Sequence, residues 1–359
     1  MSTPRFHPLR VKEVRRETPD CVSLVLEVPD VLAAQFRFTQ GQYLNVRRVV
    51  DGGEVRRSYS ICSAPADGEL RIAVKEVPEG VFSGWANRAL AAGGELEAMP
   101  PEGRFFVPLD ARHAKHYVAF AAGSGITPVL SLARATLAAE PGSRFTLVYG
   151  NRNLASVIFN EALEDLKDRH LARFSLHHVF SREAQGAELF NGRIDGAKVA
   201  RFLDALIPPD SIDEAFVCGP PSMGDDVSAV LEARGVPAAH IHLERFAAPA
   251  AGRPAPRPPQ HPTAANAANV TVIADGLRYD LDLPEDGQSI LDAALKAGAD
   301  LPYACKAGVC CTCRARLVEG EVRMDANYTL EDAELKAGYR LTCQSHPVTP
   351  RVVLDFDQR

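Results

Sequence analysis

The sequence is poor in several features that would point to particular classes of protein. No apolar run reaches the roughly 18 residues of a membrane-spanning helix. The opening stretch, MSTPRFHPLR, has no apolar segment of the kind found in secretory signals. A cytoplasmic location is therefore expected. There is no excess of basic charge. The net charge is −6, which argues against nucleic acid or an anionic membrane as a partner. None of the ten histidines lies in a Glu-x-x-His pair, so the chain has no di-iron carboxylate bundle of its own. A complete G-x-G-x-x-G fingerprint is absent, and no internal repeat is visible.

What is present suggests two or three domains in 359 residues. Residues 1–108 hold short runs of strand-favouring residues: LRVKEVRRE, CVSLVLEV, QYLNVRRVV, VRRSYSICS and LRIAVKEV. Many strands with few helices indicate an antiparallel barrel or sandwich. After Pro108 the pattern changes. Apolar strands (HYVAFAA, FTLVYG, FSLHHVF, EAFVCGP, HIHLERF) alternate with helical segments over residues 109–246. That alternation predicts an α/β domain built on a parallel sheet. Residues 247–269, rich in Pro and Ala, read as a semi-extended linker. Beyond it, VTVIADGLRYDLDL predicts a hairpin with an Asp-Gly turn, followed by a short helix that stops at Gly298. Residues 270–359 contain 15 acidic and 10 basic residues, so most of the net charge lies there. Solubility explains this simply, and an acidic docking face is the sharper reading.

Eight cysteines in a reducing compartment favour ligands or buried thiols over disulfides. Four of them, Cys305, Cys310, Cys313 and Cys343, follow the C-x4-C-x2-C…C spacing of a plant-type [2Fe–2S] cluster. Two irons need four thiolates. Three come from one loop, and the distant fourth ties that loop to the fold. Gly308 lets the loop backbone approach inorganic sulfide closely. A zinc ribbon fits this spacing poorly. Cys311, between the ligands, is expected to be a bystander.

Arg57, Tyr59 and Ser60, in R-S-Y-S, end an expected strand. They suit a flavin nucleotide: a guanidinium for phosphate, a ring to lie against the isoalloxazine, and a hydroxyl for N5. Gly80 to Ser83 opens an expected helix, whose N-terminus suits a pyrophosphate. Gly123, Gly125 and Thr127, in AAGSGITP, sit between an apolar strand and a helix. The glycines predict a tight turn close to a second pyrophosphate, and Thr127 is expected to cap the helix. Arg152, Ser181 and Arg182 stand at strand ends where an acidic ribose-binding residue is missing. They predict a preference for NADPH over NADH. Cys218 and Gly219 end the fourth strand, beside the expected nicotinamide.

These motifs occur in one order over nearly the whole chain. In that order the sequence resembles the ferredoxin–NADP reductase superfamily, in the branch with a C-terminal plant-type ferredoxin domain. The resemblance implies a multidomain fold: an antiparallel β-barrel flavin domain, an α/β nucleotide domain and an α+β β-grasp ferredoxin domain. It implies FAD rather than FMN, NADPH as cosubstrate and a [2Fe–2S] cluster. It places Ser60, Cys218 and Glu244 at the catalytic centre and Phe246 over the flavin face that nicotinamide displaces. The implied partner is a di-iron oxygenase.

Overall fold

The computed structural model describes residues 5–246 and 267–358. Most of the expected linker lies outside the described residues. Two compact units are present, one spanning Phe6–Phe246 and the other built mainly from the C-terminal residues.

The first part of the larger unit is a six-stranded antiparallel sheet. Its strands are β1 (His7–Thr18), β2 (Cys21–Glu27), β3 (Tyr43–Val50), β4 (Gly53–Ser60), β5 (Leu70–Lys75) and β6 (Glu95–Ala98), in the order β4-β3-β6-β1-β2-β5. A bridge between Ile61 and Ile72 brings the two edges together, so the sheet closes as a barrel. Leu9, Leu24, Leu44, Val46, Ile72 and Leu96 fill it. Alternation of apolar and polar residues along β1 drives this closure, with Leu9 and Val11 inward and Arg10 and Lys12 outward. Strand β6, with the short sequence ELEA, carries too little pattern to be read in advance. Helix α1 (Val81–Arg88) covers the barrel and ends one turn earlier than the apolar run suggests.

The second part is a five-stranded parallel sheet. It contains β7 (His116–Ala122), β8 (Arg144–Asn151), β9 (Phe174–Phe180), β10 (Glu214–Cys218) and β11 (Ile241–Glu244), in the order β11-β10-β7-β8-β9. Helices α2 (Ile126–Ala139), α3 (Asn160–Arg169), α4 (Gly196–Ala205) and α5 (Pro221–Ala233) connect them. Helix α3 is preceded by Leu154–Ser156, which forms a separate turn, and by Phe159 at φ +62°. Strands β7 and β8 are buried on both faces, as a covered parallel sheet requires. The barrel and this sheet share one core, which includes Cys21, Cys62 and Phe105 alongside Ala119, Ile126 and Phe216.

The smaller unit is a mixed sheet of β12 (Ala267–Ala274), β13 (Leu277–Pro284), β14 (Arg314–Glu319), β16 (Tyr339–Leu341) and β18 (Arg351–Asp355), ordered β13-β12-β18-β14-β16. Strands β15 (Val322–Met324) and β17 (Ser345–Pro347) pair separately. Helix α6 (Ile290–Lys296), capped by Ser289, buries Ile290, Leu291, Ala293 and Ala294. Helix α7 (Asp332–Lys336) is a short surface turn. Strand β12 begins three residues inside the expected linker. Ala268 is the first of its buried positions, and its small side chain hides the alternation. The Asp275-Gly276 turn has φ of +50° and +73°, the hairpin geometry expected of that dipeptide. This is a β-grasp arrangement, with a helix lying against a mixed sheet.

Candidate active site and cluster loop

An open parallel sheet binds ligands where its strand order reverses, outside the carboxyl ends. Here that point lies between β7 and β10, which are neighbours in space but far apart in sequence. β7 ends in the Gly123–Thr127 segment and β10 ends in Cys218-Gly219. The fold therefore brings both nicotinamide motifs to one crevice.

The two glycines of the turn do different work. Gly123 has φ +54°, a conformation costly for other residues, and only the Lys75 ammonium lies near its open face, 3.8 Å from where a Cβ would be. The Tyr149 hydroxyl donates to its carbonyl at 2.9 Å and holds the turn in place. Gly125, in contrast, packs on the end of β10. A Cβ there would sit 2.0 Å from the Cys218 carbonyl oxygen. Its smallness serves helix-to-strand packing rather than ligand approach. Thr127 does not cap α2, contrary to expectation. Its hydroxyl donates back to the Ser124 carbonyl at 3.0 Å, and the N-cap is Gly125. The helix starts one residue before Thr127, which leaves its side chain buried inside the first turn.

The Cys218 side chain is fully buried. Burial, reinforced by the Glu244 carboxylate across the parallel pair, pushes its thiol well above the ordinary range. It is a neutral thiol, not a nucleophile. Phe246 follows β11 and is 44% exposed, so its ring is accessible.

The flavin motif is joined to this crevice directly. Tyr59 and Ser60 close β4, paired to Leu44 and Tyr43. Just beyond them, the Ser63 carbonyl accepts a 2.7 Å hydrogen bond from Ser131 on α2. A salt bridge of 3.2 Å between Arg134 and Asp67 adds a second tie. The helix that begins at the Gly123 turn is thus anchored to the loop that follows Ser60. The Tyr59 ring lies 5.5 Å from Phe82 of α1. Ser83 is buried, and its hydroxyl donates to the Gly80 carbonyl and accepts from the Val77 N–H, so it shapes the helix start. Gly80 is needed there, since a Cβ would strike Ser83 Oγ at 2.2 Å. Arg57 is exposed, and its guanidinium donates to the Arg56 carbonyl at 2.7 Å.

Arg152, Ser181 and Arg182 lie in the segments that follow β8 and β9. Ser181 and Arg182 donate backbone N–H groups to the Asn151 and Arg152 carbonyls, drawing those segments together. Arg152 pairs with Asp20 at 3.0 Å, and Lys75 lies 3.8 Å from the same carboxylate. Sequence patterns did not single out Lys75 or Asp20. Lys75 ends β5 and Asp20 lies in the turn between β1 and β2, both ordinary charged positions, and only the docking of barrel on sheet places them beside the Gly123 turn.

In the smaller unit the four expected cysteines come together. Cys305 lies beside Cys310 and Cys313 beside Cys343, and the charges of Cys310 and Cys343 are felt across the two. Cys310, Cys313 and Cys343 are buried and Cys305 is half-buried. Four thiols brought together from one loop and one distant strand end suit a group containing two irons. The Ala307 N–H donates to Cys305 Sγ at 3.3 Å, and Gly308 adopts φ +75°. Donors aimed at sulfur, with a close-lying backbone, fit an iron–sulfur cluster. Cys311 adopts φ +54° and its sulfur meets Thr329 Oγ1 at 3.0 Å.

Three domain families match in sequence. They are an oxidoreductase FAD-binding domain at residues 8–107, an oxidoreductase NAD-binding domain at 120–229, and a 2Fe-2S iron-sulfur cluster binding domain at 272–348. A component of the 1,2-phenylacetyl-CoA epoxidase of Escherichia coli (strain K12) is 46% identical over 99% of this chain and 98% of its own. The chain belongs to the ferredoxin–NADP reductase superfamily, in the branch that ends in a plant-type ferredoxin domain. The ferredoxin reductase component of 3-ketosteroid-9-alpha-monooxygenase from Rhodococcus rhodochrous is 36% identical, covering 97% of this chain and 96% of its own. Among solved structures, phthalate dioxygenase reductase aligns with a TM-score of 0.58 at 25% identity, covering 98% of both chains. The protein is thus an oxidoreductase using FAD, a nicotinamide nucleotide and a [2Fe–2S] cluster, and it is the reductase component of a multicomponent oxygenase. Among the described residues no helix is long and apolar enough to cross a membrane.

Proposed function

We propose that this chain takes hydride from NADPH and delivers single electrons to a di-iron oxygenase that epoxidises phenylacetyl-CoA, in the cytoplasm. The observation that carries the electron-transfer half is the switch point, where the Gly123 turn and Cys218 meet and are tied through Ser131 to the segment following Ser60. The 46% identity with the epoxidase component supports the choice of partner.

When bound, the flavin converts a two-electron hydride donor into two one-electron deliveries, and the cluster passes those electrons on singly. The chain supplies distance, orientation and electrostatics. Gly123 lets the nucleotide pyrophosphate approach the turn, with Lys75 supplying positive charge. Arg152, Ser181 and Arg182 receive the adenosine 2′-phosphate. Arg57 and the start of α1 at Gly80–Ser83 hold the flavin phosphates. Tyr59 would lie against the ring, and the Ser60 hydroxyl would reach N5. Cys218 forms an apolar wall for the nicotinamide, with Gly219 giving it room and Glu244 behind. Phe246 would cover the flavin face that the nicotinamide takes. Cys305, Cys310, Cys313 and Cys343 would supply the four thiolates that hold the two irons.

Iron, sulfide and flavin analysis of the purified protein tests the cofactor set. Reconstitution with the oxygenase components of the epoxidase and phenylacetyl-CoA tests the partner. NADPH oxidation coupled to epoxide formation is the expected result. Coupling only to another oxygenase would redirect the reading, and the 36% likeness to the ketosteroid system makes a steroid hydroxylase the first alternative to try. A colourless, flavin-free, zinc-containing preparation would overturn it.

A further inference from the structure

The residue after the fourth cysteine carries more contacts than a loop residue needs. Gln344 sits between the first-ligand loop and the distant ligand strand. Its Nε2 donates to the Lys306 carbonyl at 3.2 Å and the Cys343 carbonyl at 3.0 Å, and lies 3.4 Å from Cys343 Sγ. Two backbone carbonyls face this atom, and carbonyls only accept, so the amide nitrogen rather than its oxygen must point there. Two hydrogens serve three acceptors, so one is shared between the Cys343 carbonyl and sulfur. The Gln344 stem lies against Gly308, where an added Cβ would meet its Cγ at 3.4 Å. Its own backbone is fixed on both sides. The N–H donates to Leu341, and the carbonyl accepts from Asp325.

We propose that Gln344 is a positioning residue that locks the Cys305–Gly308 loop onto Cys343 and raises the reduction potential of the cluster by donating to the Cys343 sulfur. The proposal rests on the cluster reading given above. One-electron reduction adds a negative charge to the cluster and breaks no bond. A donor aimed at a ligand sulfur stabilises the more negative state. Because the amide is held by two carbonyls, it is already oriented before the electron arrives.

Gln344→Met keeps the length and apolar stem but removes both N–H donors. The midpoint potential, followed by EPR in a redox titration, should move negative. The expected size is about tenfold in the reduction equilibrium, or about 59 mV for a one-electron couple. An unchanged potential at full iron content would overturn the proposal. If the variant fails to hold iron, the wild-type protein still decides. Pulsed EPR on reduced protein carrying 15N in its glutamine side chains should show a nitrogen coupling to the cluster, and its absence would also overturn the proposal. Wild-type protein with no [2Fe–2S] signal at all would instead sink the cluster reading itself.

Discussion

Gly123 and Gly125 stand two residues apart in one motif, yet alanine at each should fail differently. At Gly125 the backbone has φ −61°, where alanine suffers no conformational strain. The penalty is packing. An added Cβ would lie 2.0 Å from the Cys218 carbonyl oxygen and 2.5 Å from its carbon, whereas ordinary contact begins at 3.4 Å. The neighbours are backbone in the centre of a parallel sheet and cannot swing aside as a side chain can. The start of α2 and the end of β10 must part by more than an ångström. Overpacking of this kind costs about 3 kcal/mol, the upper end of the usual range. Gly123 presents the opposite case. Its Cβ would meet nothing closer than the flexible Lys75 ammonium, but its φ of +54° penalises alanine by about 1 kcal/mol. For a unit of this size, about 2–4 °C of melting temperature corresponds to each kcal/mol. Thermal unfolding followed by flavin fluorescence should show Gly125→Ala falling by about 6–12 °C and Gly123→Ala by about 2–4 °C. Steady-state kinetics should show the reverse emphasis for Gly123→Ala, with KM for NADPH raised several-fold, because its methyl group enters the open face of the turn. A Gly125→Ala variant that melts within 2 °C of wild type would refute the packing argument. Equal effects of the two substitutions on KM would refute the division of labour.

Three further outcomes are expected. Cys343→Ser should lose the cluster and cytochrome c reduction while retaining NADPH–ferricyanide activity, and equal loss of both would contradict the order of electron transfer. Arg182→Ala should lower kcat/KM for NADPH at least tenfold more than for NADH, since a 2′-phosphate is the only group that separates the two, and an unchanged ratio would remove Arg182 from the site. His116 is held neutral in the fold: its pKa falls to about 4 through burial, with the Arg144 guanidinium assisting. The unfolded chain binds a proton near pH 6.5 and the folded chain does not until about pH 4, so this contribution is complete above about 6.5 and lost as pH falls through that window. Urea midpoints should therefore drop less between pH 6.5 and 4.5 in His116→Gln than in wild type.

Local sequence carried the chemistry wherever the chemistry depends on short spacing. C-x4-C-x2-C, R-S-Y-S and the Gly-x-Gly turn are each set within a dozen residues, and strand and helix alternation exposed the parallel sheet. Pattern was too weak at β6, at the start of β12 and through the short strands of the ferredoxin unit, where few large apolar residues mark a face. Thr127 illustrates a further limit, because a cap depends on where the helix begins, and here the helix begins at Ile126, with Gly125 packed tightly on Cys218. The roles of Lys75, Asp20 and Gln344 were invisible in advance. None lies in a motif, and each is defined by a partner brought from elsewhere in the chain.

The sequence alone determined which reactive groups the protein has and the order in which they occur, because ligand spacing and turn chemistry are local. Only the tertiary structure decided which of those groups meet. Reversal of strand order between β7 and β10 made a crevice from segments about a hundred residues apart. The pairing of Cys313 with Cys343 likewise depends on the sheet, because a distant thiol becomes a ligand only when the strands that carry it have found their register.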